Sequence, residues 1–267
     1  MSAGPIAELF ERTRAQDRAA LVGYLPAGFP DVETSKAAIA ALVEGGVDLV
    51  EVGLPYSDPV MDGPVIQAAA EQALAAGFRV RDVFDVVRAT AATGAPTVVM
   101  TYWNPVERYG VERFAADLAA AGGAGMITPD LIPDEGAEWD AASREQGLDR
   151  VYLVSPSSAD ARLAMTAEQA SGFIYATAVM GVTGQRDQSS SHAEPLVSRL
   201  RQVTDKPVGV GIGVSNAEQA REVAQFADAV IVGSAIVRTL LEAPSPAEGV
   251  DAVRELAREL RAGVERS

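Results

Sequence analysis

The sequence predicts an α/β fold in which eight parallel strands alternate with helices and close into a single (β/α)8 barrel. Eight short apolar segments recur along the chain, and helix-like segments rich in Ala, Glu and Arg separate them. Each apolar segment is apolar on both faces, as expected of a strand buried in a parallel sheet. The segments are Ala20–Leu25, Val47–Leu54, Thr97–Trp103, Ala124–Thr128, Arg150–Val154, Phe173–Ala178, Pro207–Ile212 and Ala227–Val232.

Chain length and helix boundaries favour the same fold. The chain has 267 residues, and barrels of this TIM type need about 250. Pro30-Asp31 begins the first interstrand helix, Gly45-Gly46 ends it, and Gly122-Gly123 ends the helix before the fourth strand. A doubly wound sheet is the alternative, but it uses fewer strands, and no G-x-G-x-x-G opens the first helix. We expect one TIM-barrel domain over residues 1–267, with a helix in residues 1–18 leading into the barrel.

Charge and composition narrow the classes of partner. The formal net charge is −15, which argues against nucleic acid and an anionic membrane surface. No run approaches the roughly 18 apolar residues of a membrane-spanning helix. The segment Met1–Arg18 lacks the apolar core of a signal peptide. We therefore expect a cytoplasmic protein.

Scarce residue types exclude several chemistries. The chain has no cysteine, one histidine, His192 in a Ser-rich segment, and two lysines, Lys36 and Lys206. Histidine-cluster metal sites and Ser-His triads are therefore disfavoured. Lys36 lies in the first interstrand helix and Lys206 precedes the seventh strand, so neither is placed to form a Schiff base. Carboxylate acid–base chemistry remains, and we expect no cofactor or metal in this chain.

Glu51 is the first candidate for that chemistry, because it lies near the end of a predicted buried strand. A buried carboxylate is costly unless it has a partner or a function. It could be structural and paired with an arginine, but its place on the catalytic face of a barrel favours function. We expect burial to raise its pKa, which suits a general acid–base. The loop that follows adds Asp58 and Asp62, which in isolation would indicate only a turn.

Two connections are longer than a barrel requires, and three turns contain glycine. The long connections are Pro55 to Gly63 and Gly181 to Ala193, both following strand ends, where lids and partner-docking loops occur. The turns Gly181–Gly184, Gly211–Ser215 and Gly233–Ile236 follow the last three strands. Many such barrels bind phosphate there. We expect Ser234 to cap the helix after the eighth strand, whose positive end would face the anion.

These motifs resemble those of tryptophan synthase α subunits. The long segment Glu51–Gln67, EVGLPYSDPVMDGPVIQ, is the most specific match. The other matches occur in family order from the third strand to the eighth. They are Met100–Pro105, Pro129–Leu131, Gly181–Gly184, Gly211–Ser215 and Gly233–Val237.

The resemblance implies a lyase of tryptophan biosynthesis that cleaves indole-3-glycerol phosphate to indole and glyceraldehyde 3-phosphate. It implies that Glu51 is the catalytic acid–base and that Asp62 holds the indole N–H. The other residues follow by position in the motifs. Substrate would contact Tyr24, Tyr102, Tyr175, Thr183 and Ile212, and phosphate would contact Gly184, Gly213, Gly233 and Ser234.

The resemblance also implies a partner, a β subunit that carries pyridoxal phosphate and receives the indole in an α-β-β-α heterotetramer. Pro55, Asp58 and Asp130 match residues at or near that interface. The chain departs from the common family pattern at Tyr24 and Ile212, where phenylalanine occurs, at Ala178, where serine is common, and at Ile132-Pro133. Two alternatives stay open: another phosphate-sugar barrel enzyme, and a regulatory subunit that binds phosphate and a partner without catalysis.

Overall fold

The computed structural model describes residues 4–177 and 190–266. It contains a closed barrel in which the strands β1 to β8 follow one another in chain order and β8 pairs with β1. All neighbouring strands are parallel, which confirms the predicted TIM barrel. The strands are Ala20–Pro26, Leu49–Gly53, Thr97–Met100, Gly125–Thr128, Asp149–Val154, Ile174–Thr177, Val208–Gly211 and Ala229–Val232.

The α-helices of the described part of the chain lie between the strands and at both ends of the chain. The helix α2 begins where predicted, and Asp31 caps it, because its carboxylate accepts a hydrogen bond from the Thr34 N–H at 2.8 Å. The helices α1 to α12 are Pro5–Ala15, Val32–Glu44, Pro64–Ala75, Val83–Ala91, Trp103–Tyr109, Val111–Ala120, Ala137–Gln146, Asp160–Gln169, Ser190–Leu200, Ala217–Ala224, Ser234–Leu241 and Pro246–Gly263. No helix in the described ranges is long and apolar enough to cross a membrane.

The inside of the barrel is filled by alternate strand residues and closed at its amino end by α1. Ile6, Leu9 and Phe10 of this helix pack with inward-facing strand residues such as Val22 and Leu49. A second, larger apolar cluster lies between the strands and the outer helices. Side chains that alternate along each strand therefore point either into the barrel or toward the helices.

Several predicted boundaries were wrong, and three of them affect the loops and helices next to the strands. The second strand begins at Leu49, because the Val47 N–H still bonds to Leu42 O at the end of α2. The third ends at Met100, because Trp103 begins α5. The polar connection after β6 ends earlier than predicted, because Ser190 to Ala193 already belong to α9.

Candidate active site

The carboxyl ends of the strands bring several predicted site residues to one face of the barrel. Tyr24 of β1 pairs in register with Glu51 of β2, and both follow inward-facing residues, Val22 and Leu49, at a spacing of two. Tyr175 of β6 packs against the same interior cluster. The inward layer at the catalytic end therefore holds one carboxylate between tyrosines from two other strands.

Glu51 is a buried carboxylate. Its side chain is 1% exposed, and neither carboxylate oxygen has a hydrogen-bond partner among the described residues. This environment disfavours the charged form, and burial raises the pKa of Glu51 from 4.5 to about 8. Within residues 4–177 and 190–266, no arginine neutralises this carboxylate.

Asp62 accepts a hydrogen bond from Tyr102, which lies just after β3. The Tyr102 hydroxyl donates to Asp62 Oδ1 at 2.9 Å and accepts from the Met61 N–H at 3.0 Å. Gln67 Nε2 donates to the Asp62 carbonyl oxygen at 2.8 Å, which fixes the same turn. Burial raises the pKa of Asp62, and the hydrogen bond from Tyr102 opposes this shift.

The tyrosines around the two carboxylates are strongly perturbed. Burial, and then the nearby Asp62, raise the pKa of Tyr24 well above its ordinary value. Burial and the charge of Glu51 do the same to the pKa of Tyr175. Tyr56, which the sequence did not single out, packs its ring against that of Tyr102 with centroids 5.4 Å apart. Its position in the loop after β2 is the only sequence signal for this contact.

The glycine turns after β7 and β8 lie at the same face. Gly213 is exposed, and its φ of +82° is in the left-handed region, where glycine is favoured. The prediction that Ser234 caps the following helix was wrong, because α11 begins at Ser234 itself and Gly233 occupies the N-cap position. Gly233 has no side chain with which to cap that helix, and an uncapped helix amino end is suited to an anion. Thr183 and Gly184 lie outside the described residues.

The remaining predicted positions lie around the rim. Ile212 is half-buried and packs against the outer apolar cluster. Pro55 is buried within the chain, whereas Asp58 is exposed. Asp130 caps α5, because its carboxylate accepts from the Trp103 N–H at 2.9 Å. This face also exposes two apolar side chains, Val60 at 70% and Ile132 at 44%.

Both lysines have structural contacts away from this face. Lys36 pairs with Glu33 of its own helix at 2.9 Å. Lys206 donates to the carbonyl oxygens of Ala167 and Ala170, each at 2.6 Å, at the end of α8. Within the described ranges no three His, Asp or Glu side chains are grouped so as to hold a metal ion. The described site contains two carboxylates, Glu51 and Asp62, whose pKa values burial raises.

The sequence matches a known family over nearly its whole length. A family model described as "Tryptophan synthase alpha chain" matches residues 10–265. The chain belongs to this family. The tryptophan synthase alpha chain of Salinispora tropica is 64% identical over 255 residues, covering 96% of each chain. That of Acidothermus cellulolyticus is 59% identical over 261 residues, covering 98% of this chain and 97% of the relative.

Solved structures of tryptophan synthases share the barrel. A chain in a structure of Mycobacterium tuberculosis tryptophan synthase is 55% identical, with a TM-score of 0.93 and 100% of both chains covered. The tryptophan synthase subunit alpha from Legionella pneumophila is 31% identical, with a TM-score of 0.89, covering 98% of this chain and 99% of that one. The fold is therefore retained across the tryptophan synthase alpha chain family at much lower sequence identity.

Proposed function

We propose that the chain is the lyase subunit that cleaves indole-3-glycerol phosphate to indole and glyceraldehyde 3-phosphate in tryptophan biosynthesis. The observation that carries the proposal is Glu51, a buried carboxylate that has no hydrogen-bond partner among the described residues and whose pKa burial raises to about 8. A carboxyl with a pKa near neutrality can both give and take a proton during one turnover. The choice of substrate is inferred from the family, and the acid–base role is inferred from the environment of Glu51.

The proposed reaction is a retro-aldol cleavage in which the indole ring accepts the electrons. Protonated Glu51 delivers its proton to C3 of the ring, which produces an indolenine. The C3–side-chain bond then breaks as the adjacent hydroxyl loses its proton, so that the side chain leaves as an aldehyde and the ring regains aromaticity. Glu51, now ionised, helps to remove that hydroxyl proton and is ready for another turnover. Neither lysine is needed.

Asp62 acts at the other end of the ring in this proposal. Positive charge develops at the indole nitrogen when C3 is protonated, and an ionised carboxylate that accepts the N–H stabilises it. The hydrogen bond from Tyr102 to Asp62 favours the ionised form that this role needs. Tyr24, Tyr102 and Tyr175 would line the substrate, with Thr183 and Ile212 contributing by resemblance.

The phosphate would bind at the turns after the last strands. The amino end of α11 without a side-chain cap and the open backbone at Gly213 support this placement. Gly233 is added by resemblance. Ser234 would contribute its own N–H rather than a cap, and Gly184 is added by resemblance. Because the chain carries a formal charge of −15, attraction of the anion has to be local.

A β subunit that carries pyridoxal phosphate is the proposed partner, in an α-β-β-α heterotetramer in the cytoplasm. The exposed Val60 and Ile132 lie beside Asp58 and Asp130 on the face where the indole would leave. Exposed apolar side chains rimmed by carboxylates are typical of a docking surface. Pro55 supports this loop from within the chain.

The test is the release of glyceraldehyde 3-phosphate from indole-3-glycerol phosphate, with and without a tryptophan synthase β subunit. We expect slow release that rises sharply when the partner is added. Glu51→Gln should fold normally and lose at least about 10²-fold in turnover, the smaller contribution typical of a general acid–base. Near-normal activity of Glu51→Gln would contradict the mechanism. Substrate binding without product in the wild type would favour the regulatory alternative.

A further inference from the structure

The last residue of β2, Gly53, packs against the side chain of Tyr24 in β1. Gly53 lies two residues beyond Glu51 and so shares its inward face. A Cβ atom built on Gly53 would overlap the Tyr24 hydroxyl oxygen and lie 2.6 Å from Tyr24 Cζ. The phenol ring of Tyr24 therefore lies directly on the backbone of Gly53.

Backbone conformation does not explain why position 53 is glycine. Gly53 is not among the glycines of the described chain that have a positive φ, so an L-residue could adopt its backbone angles. The absence of a side chain at position 53 is therefore explained by the space that it leaves for a neighbouring group. That space is occupied by Tyr24, the residue in register with Glu51.

We propose that Gly53 is a positioning residue that allows the Tyr24 ring to lie against β2 and exclude water from Glu51. The inference rests on the acid–base role proposed for Glu51. A side chain at position 53 would push the ring away from β2. The ring could not move deeper, because Val22 and Leu49 beneath it are fully buried. It would move toward Gly233, whose own missing side chain leaves room: a Cβ there would lie 3.5 Å from Tyr24 Cδ1.

Displacement of the ring would change the acidity of Glu51. In the described site, Tyr24 and Tyr175 are close enough to Glu51 to interact with its charge, and Asp62 and Tyr102 interact with Tyr24 in the same way. None of these groups is a cation, and burial alone raises the Glu51 pKa. Water admitted beside Glu51 would therefore lower its pKa toward the ordinary value.

A double-mutant cycle tests the proposal. We expect Gly53→Ala to lower kcat/KM by about 10²-fold, the cost of a misplacement of about 1 Å in an active site. The limb of the pH profile that reports Glu51 should move to lower pH. In a Tyr24→Leu background, which removes the obstructing ring, Gly53→Ala should have little further effect. Equal losses in both backgrounds would overturn the proposal.

Gly136→Ala is the matched control. A Cβ at Gly136 would lie 2.6 Å from the Tyr152 hydroxyl oxygen, a similar overlap, but at the amino end of α7 and away from Glu51. Its φ of −85° also accepts alanine. We expect this variant to lose stability without any change in the pH profile. A comparable shift in the profile would mean that the effect of Gly53→Ala is not specific to its site.

A second readout does not depend on turnover. The stability difference produced by Glu51→Gln, measured against pH, reports how strongly the fold perturbs Glu51. In the Gly53→Ala background we expect this difference to vary less with pH than in the wild type. An unchanged dependence would overturn the role of Gly53. Absence of turnover in every variant, with the stability readout as expected, would instead count against the proposed function.

Discussion

Burial changes the acidity of Glu51, because none of the described residues gives its carboxylate a hydrogen bond and burial disfavours the charged form. Burial raises its pKa from 4.5 to about 8, so the folded chain retains a proton that the unfolded chain releases. The stability that comes from keeping Glu51 protonated in the folded state is complete below pH 4.5 and is lost as the pH rises to about 8. The residue that the proposed reaction requires therefore destabilises the fold at neutral and alkaline pH.

Glu51→Gln should remove that pH dependence. We expect the variant to gain stability relative to the wild type by about 1.4 kcal/mol for each pH unit between these pKa values, and to have the largest advantage above pH 8. Urea unfolding of both proteins at pH 5, 7 and 9 measures the difference. A difference that is the same at all three values would show that Glu51 is not perturbed as described.

Tyr102 is the residue that favours ionisation of Asp62. Tyr102→Phe removes the hydrogen bond to Asp62 Oδ1, so the Asp62 pKa should rise further. Because the proposed role needs the carboxylate, the acidic limb of the kcat/KM profile should move to higher pH. We expect kcat/KM to fall by about tenfold or more, since a hydrogen bond to a charged group contributes about 1.5–3 kcal/mol.

Tyr109→Phe is the control for Tyr102→Phe. The Tyr109 hydroxyl also donates to an aspartate, Asp117, at 2.6 Å, but on the outer helices. Its removal should leave the pH profile unchanged. A profile that shifts equally in both variants would contradict the specific pairing of Tyr102 with Asp62.

At the scale of an element, the turn after β7 depends on one backbone conformation. Gly213→Ala places a side chain at a φ of +82°, where no atom lies within 4 Å of the new Cβ. The cost is therefore strain, about 1–2 kcal/mol, rather than a clash. We expect the turn to relax away from the phosphate and KM to rise about tenfold, since about 1.4 kcal/mol of lost binding is a factor of ten. Steady-state kinetics over a range of substrate concentrations measures this.

Gly77→Ala is the control for Gly213→Ala, because it makes the same change away from the site. Gly77 follows α3, has a φ of +94° and also has no atom within 4 Å of a built Cβ. It should lose similar stability while KM stays unchanged. If both variants raise KM alike, the turn after β7 has no special part in binding.

At the scale of the whole molecule, α1 and the barrel should behave as one cooperative unit. Leu9 is fully buried in the barrel interior, and Arg18, just before β1, donates to both Asp48 oxygens at 2.6 and 2.7 Å. The backbone of Arg18 also forms an isolated antiparallel β-bridge with that of Glu265, near the other end of the chain. These contacts join both ends of the chain to the amino end of the barrel, as expected of one domain.

Leu9→Ala should therefore destabilise the whole barrel. We expect a loss of about 2–5 kcal/mol, typical of a buried leucine, within a single unfolding transition that far-UV and near-UV circular dichroism report together. Glu11→Ala, an exposed position on the same helix, should change stability by less than about 0.5 kcal/mol. Separate transitions for helix and barrel would contradict the single-domain expectation.

The sequence alone predicted the strand order and singled out Glu51, because hydrophobic periodicity is a local signal. Asp62 was chosen over Asp58 only through the resemblance to a known family. Strand ends were less predictable: Val47 stays bonded to α2, and Trp103 begins a helix instead of ending a strand. Ser234 was predicted as a cap for the same reason, since residue type cannot say which of two neighbours begins a helix.

Only the tertiary structure decided what surrounds the reactive groups. Tyr102 reaches Asp62 across 40 residues of sequence, and Tyr24 of β1 covers Gly53 of β2. The isolation of Glu51 is likewise a property of everything packed around it. Solvation, and hence acidity, depends on atoms that are close in space, and closure of the barrel is what brings atoms from distant parts of this chain together.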